Sequence, residues 1–119
     1  MANANETLAA LMQIDGAVGC LIADYGTGML LAKAGGGVNL DVAAAGNSEV
    51  IKSKMKTMSA LGLKDSIEDI LITLGTQYHI LRPIPNKGSL FMYIVLDKAK
   101  SNLAMARFKL ADIEKALAL

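Results

Sequence analysis

One change of period governs what this chain can fold into. Between Asp41 and Leu61 the residues Ala43, Gly46, Val50, Ile51, Met55, Met58 and Leu61 recur at spacings of three and four with no proline between them. That spacing predicts an α-helix about 30 Å long. From Ile67 onward the period falls to two, with Ile70, Ile72 and Leu74 alternating against Asp69, Leu71 and Thr73. A three-to-four stripe cannot present one face as a strand, and strict alternation cannot present one face as a helix. The chain therefore mixes both kinds of element, and its longest helix leads into a run of strands.

The rest of the chain fits around this pair. Residues 5 to 13 read as a short helix with Asn5 as N-cap and Leu8, Leu11 and Met12 on one face. Ala17 to Asp24 and Met29 to Ala34 are compact apolar runs joined by Asp24-Tyr25-Gly26-Thr27-Gly28, which predicts a β-hairpin. Gly35-Gly36-Gly37 separates that hairpin from the long helix, and Gly62 ends the helix at the C′ position. Beyond the Ile67 to Leu74 strand, Tyr78 to Ile84 and Leu90 to Leu96 flank the turn Pro85-Asn86-Lys87-Gly88. Pro83 predicts an interruption or bulge in its strand, and the all-apolar Leu90 to Leu96 run predicts a place near the sheet centre. Asp97 is the expected cap of a last helix carrying Leu103, Ala106, Leu110, Ile113 and Leu117. The expected order is α-β-β-α-β-β-β-α, an α+β fold with a five-stranded antiparallel sheet flanked by helices on both faces. All 119 residues fit one domain, since no Pro-, Ser- or charge-rich linker divides them.

Composition removes several functions. Twelve Lys+Arg against eleven Asp+Glu leave a charge of +1, too balanced for the cationic field that nucleic-acid binding uses. Three Tyr, two Phe and no Trp give no base-stacking platform. The longest apolar run is far short of the roughly 20 residues that cross a bilayer, so no membrane insertion is expected. The first residues lack the basic and apolar regions of a signal peptide, and the single Cys20 excludes an internal disulfide. A cytoplasmic setting follows as the expectation. At 53% hydrophobic, the chain also carries more apolar residues than a small domain readily covers.

Candidate chemistry is sparse. Gly35-Gly36-Gly37 precedes a helix N-terminus but is followed by Val38-Asn39, where a phosphate loop requires Lys-Ser/Thr. A strand-to-helix connection is the simpler reading, and a small-ligand sensor using this loop is the alternative. His79 falls in a strand pattern with no polar partner evident, which favours a satisfied or partly exposed strand residue over acid–base catalysis. One His and one Cys do not complete a zinc site, and Cys20 within an apolar strand reads as a buried thiol. No catalytic constellation, cofactor site or metal site is expected. Lys52 and Lys56 share a helix face and read either as a solvated face or as a steering surface for an acidic partner.

The element order, together with three local sequences, resembles the Roadblock/LC7 family, related to longin and profilin-like folds. Those sequences are Ile14-Asp15-Gly16-Ala17-Val18-Gly19 before the first strand, Asp24-Tyr25-Gly26-Thr27-Gly28 before the second, and Asn102-Leu103-Ala104-Met105-Ala106-Arg107 opening the last helix. The short chain looks like the stand-alone prokaryotic type, similar to the MglB-like small-GTPase regulators. The resemblance implies a dimer in which the long helices pack together and the adjacent strands join two sheets. Val50, Ile51, Met55, Met58, Ile70 and Ile72 would form that interface, with the chain itself as partner. Glu68 and Asp69 complicate it, since like charges brought together across a twofold repel.

The resemblance also implies a non-enzymatic role on a small Ras-like GTPase or another signalling protein, with Lys52 and Lys56 as the expected partner-binding residues. Arg82 and Arg107 are the only arginines that could reach a bound nucleotide as fingers. A self-assembling scaffold for non-GTPase partners is the other reading from the same resemblance.

Overall fold

The computed structural model describes residues 2–118. Helix α1 spans Ala4–Met12, β1 Ala17–Asp24, β2 Met29–Gly35, α2 Leu40–Ala60, β3 Ile70–Thr73, β4 Gln77–Pro83, β5 Leu90–Asp97 and α3 Leu103–Ala116. The order is the expected one, and the five strands form one antiparallel sheet in the order β2-β1-β5-β4-β3. Two caps differ from expectation. Asn3, not Asn5, starts α1, because only Asn3 has a Glu three residues on: its side chain accepts from Glu6 N–H at 2.9 Å while Glu6 accepts from Asn3 N–H at 3.1 Å. Asn102 caps α3, whereas Asp97 caps a separate 3-10 turn over Lys98–Lys100.

Edge strand β3 is shorter than the alternation from Ile67 to Leu74 predicts. Its register pairs Ile70 with Leu81, which sets Asp69 beside Arg82 and leaves the next position facing Pro83. Proline has no N–H to donate to a ladder, so pairing stops there. Pro83 thus ends β4 rather than interrupting it.

Side-chain parity splits the core into two layers. Met92, Ile94 and Leu96 of β5 join Leu8, Leu11, Cys20, Ile22, Ile80 and Leu110 beneath α1 and α3. Phe91, Tyr93 and Val95 point the other way, against Ala44 and Ile51 of α2. As the middle strand, β5 is buried on both faces, which explains its unbroken apolar run. The layers are unequally covered. Two helices share one face, while α2 alone serves the other and lies over β1 and β2.

The first and last described residues meet on the α1/α3 side. Ala2 forms a parallel bridge with Leu117, donating to Ala116 at 2.6 Å and accepting from Ala118 at 2.7 Å.

Gly19 marks where the Gly35–Gly37 loop crosses β1. Gly36 N–H donates to Val18 at 2.9 Å, and a Cβ on Gly19 would overlap the Gly36 carbonyl. Gly19→Ala is expected to cost about 3 kcal/mol through a forced backbone shift. Gly46→Ala, at a helical position with nothing near the added methyl, should gain about 0.5–1 kcal/mol. Urea unfolding of both variants measures the difference, and equal stabilities would refute the close approach.

Candidate functional site

Because α2 leans toward β1 and β2, a groove of about 530 Å³ stays open between its other flank and β3. Val50 and Met58 form the helix wall, Leu63 and Ile67 the connecting loop, and Ile70 the strand wall. Lys54 stands on one rim, with Asp65 and Glu68 on the other. Val50 is 38% exposed and Leu63 52%, so the groove is apolar and wet at once. Beside it, β3 has β4 on one side and no strand on the other, leaving one row of backbone groups without ladder partners.

The expected interface residues divide here. The structure brings Val50, Met58 and Ile70 together along the groove, with Ile72 beside Ile70 on the same face of β3. Met55 lies near the end of α2 and lines, with Met58, a second cavity of about 440 Å³ against the β4–β5 turn. Ile51 is a correction. It is 0% exposed and packs on Leu81, Tyr93 and their neighbours, so it belongs to the core of a single chain. Its helix position, one step of 100° from Val50, turns it onto the sheet. Lys52 and Lys56 do not line the groove, and helical periodicity sets them on the opposite flank, where Lys52 pairs with Glu49 at 2.8 Å.

Of the two charges that complicate a twofold, Asp69 is balanced within the chain. Asp69 receives Arg107 at 2.8 Å and lies 3.8 Å from Arg82, which itself meets Glu114 at 3.0 Å. Arg82 is only 12% exposed at its side chain, and Arg107 is held by two hydrogen bonds to Asp69. Both guanidiniums are committed to tying β3 and β4 to α3.

A polar chain under α2 escaped the sequence reading. The Tyr93 hydroxyl lies 2.9 Å from His79 Nδ1, and His79 Nε2 lies 2.9 Å from Gln77 Oε1. A carbonyl oxygen on Nε2 assigns the proton there, so Nδ1 accepts from Tyr93. Asn47 of α2 donates within its own helix, to the Ala43 carbonyl at 2.9 Å. Burial raises the Tyr93 hydroxyl to about 12 and holds the His79 imidazole below its ordinary 6.5. The i, i+2 spacing of Gln77 and His79 on one strand face was the visible signal. Cys20 is fully buried, and burial pushes its thiol up to about 11, away from nucleophilic use. Among the described residues, no group of three or more His, Cys, Asp or Glu could hold a metal ion, and no helix is long and apolar enough to cross a membrane.

A three-layer α+β fold with one open strand edge beside its longest helix is the Roadblock/LC7 fold. A Roadblock/LC7 domain from Streptomyces avermitilis superposes with a TM-score of 0.82 at 11% identity, over 97% of this chain and 94% of that one. The gliding protein MglB from Thermus thermophilus matches with a TM-score of 0.79 at 17% identity, over 95% and 84% of the two chains. An MglB structure with a tetrameric arrangement matches with a TM-score of 0.79 at 17% identity, over 95% and 83%. No protein-family model and no curated protein matches the sequence, so the likeness is one of fold.

Proposed function

We propose that the chain is a single-domain, homodimeric and non-catalytic regulator or scaffold for a small Ras-like GTPase, acting in the cytoplasm by protein–protein contact on nucleotide state or location. The observation that carries it is the open β3 edge beside an apolar groove with charges of both signs on its rims. A second copy supplies what both lack, since β3 paired with β3 satisfies the edge and an isologous contact sets positive and negative rims within reach of each other. Pairing centred on Ile70–Thr73 places the two Glu68 side chains roughly 20 Å apart, beyond the Debye length of about 8 Å. Asp69 is already neutralised by its arginines.

The GTPase part rests on the family resemblance, with MglB among the fold neighbours as support. With Arg82 and Arg107 engaged internally, an effect on hydrolysis would come from repositioning the GTPase's own residues. Lys52 and Lys56 remain the proposed contact for an acidic partner, on the flank that self-association leaves free.

Sedimentation equilibrium tests the dimer. Interferometry against small GTPases encoded near this chain's gene, loaded with GDP or a GTP analogue, tests the partner. Lys52→Glu with Lys56→Glu should leave the dimer intact and slow GTPase association about tenfold at low salt. Unchanged kinetics would remove these lysines from the contact. Absence of binding to either nucleotide state would remove the GTPase, and dimer-dependent capture of other proteins would favour the scaffold.

A further inference from the structure

The groove and the second cavity, of about 440 Å³, share one wall. Met58 of α2 lines both, and so do Leu63, Asp65, Ser66 and Ile67 of the loop that follows it. That loop is tied near its two ends, where Leu63 N–H donates to Met58 at 3.0 Å and Asp69 receives Arg107 at 2.8 Å. Between the ties it lies open, with residues 61 to 66 exposed.

The rest of the cavity combines fixed and adaptable parts. Tyr25 is fixed: its N–H donates to Ser89 at 2.9 Å, and its ring centre lies 6.4 Å from that of Phe91. Ile84 is 4% exposed, and its N–H donates to Leu90 at 2.9 Å, between two prolines whose rings lock φ. Met55 and Met58 are unbranched thioethers that repack around whatever they cover. The volume falls in the range of about 300–1,000 Å³ that small-ligand sites occupy, and an apolar lining with a few polar groups is their usual composition. Of the lining residues only Asp65 is charged. Its carboxylate accepts from Ser66 N–H at 2.8 Å and belongs to none of the ion pairs among the described residues. A phosphate or carboxylate ligand would meet an anion and no cation there, whereas an ammonium would meet its counter-charge.

We propose that this cavity takes a small apolar ligand with a single cationic head, its body on Tyr25, Pro85 and the methionines and its head at Asp65, and that its occupation opposes self-association. The second part rests on the self-association reading above, and the first does not. Opposition follows from the shared wall. Met58, Leu63 and Ile67 cannot fill both hollows at once, so a guest that draws them onto itself takes them from the groove, and a second copy seated in the groove takes them from the guest. By linkage the two effects are equal in size.

Phenylpropylamine, phenylpropanol and phenylpropanoate present one apolar body with a cationic, a neutral and an anionic head. Titrated to about 10 mM at neutral pH and constant ionic strength, the amine should shift the amide NMR signals of Tyr25, Ser59, Ser66 and Asn86 and bind at least about fivefold more tightly than the carboxylate. Asp65→Asn should bring that ratio close to one. Ser59→Trp, at an exposed position that lines the cavity and not the groove, should abolish binding of all three probes. The dimer Kd, read by sedimentation equilibrium, should rise at least about fivefold when the amine saturates the cavity. Absence of shifts at these residues, shifts confined to the groove, or equal affinity for amine and carboxylate overturns the ligand site. Binding that leaves the dimer Kd unchanged overturns the opposition. A chain that stays monomeric without ligand overturns the self-association reading instead, and the NMR titration then decides the ligand site alone.

Discussion

Val50→Asp is expected to give a folded monomer, and Ile51→Asp, one residue on, a chain that does not fold stably. Val50 is 38% exposed on the groove side of α2, so a carboxylate there stays hydrated in the single chain and should change its stability by no more than about 0.5 kcal/mol. In the dimer the same carboxylate meets an apolar wall. Losing about 3 kcal/mol of association free energy corresponds to a Kd more than about 100-fold weaker. Ile51 is 0% exposed against Leu81 and Tyr93, where a charge has neither water nor partner. The expected cost of at least about 4 kcal/mol is a large share of a total near 5–15 kcal/mol. Circular dichroism melts and sedimentation of both variants separate the outcomes, and a Val50→Asp chain that dimerises like wild type would place the interface elsewhere.

Arg82→Ala should be the most destabilising surface-distant charge deletion in the chain. The Arg82 side chain is 12% exposed, and its partners Asp69 and Glu114 are 14% and 17% exposed, so all three are largely withdrawn from water. Removing the cation leaves Glu114 without its counter-charge, while Asp69 keeps Arg107. The expected loss is about 3 kcal/mol, or a fall in Tm of roughly 10 °C. The triple variant Arg82→Met, Asp69→Asn, Glu114→Gln removes the charges together and should recover more than half of that loss, since the cost lies in the unpaired ions. Equal instability of the single and triple variants would show that the guanidinium acts through packing alone.

Element order and layer architecture were legible because they depend on local period, which Asp41–Leu61 and the strands after Ile67 carry plainly. The end of β3 was not. It is set by Pro83 and Arg82 on another strand, and alternation within Ile67 to Leu74 holds no trace of them. The same limit separated Val50 from Ile51. Both fall on the apolar side of one helix, and which of them meets the sheet depends on α2 lying over β1 and β2. Tyr93 was read as one apolar residue among seven, so its hydroxyl and the relay to His79 went unseen. The candidate interface was thus legible as a region, while its division into core and free surface required the tertiary arrangement.

The bridge between Ala2 and Leu117 has a topological consequence. With Ala2 and Ala118, the first and last described residues, hydrogen-bonded to each other, the described chain is close to a closed ring. Their meeting point belongs to the layer formed by α1 and α3, with the sheet between it and the groove. Chain running outward from Ala2 or Ala118 therefore leaves from the same spot, on the side opposite α2. A tether, a label or a second domain attached there would orient the open edge and groove toward solution instead of masking them.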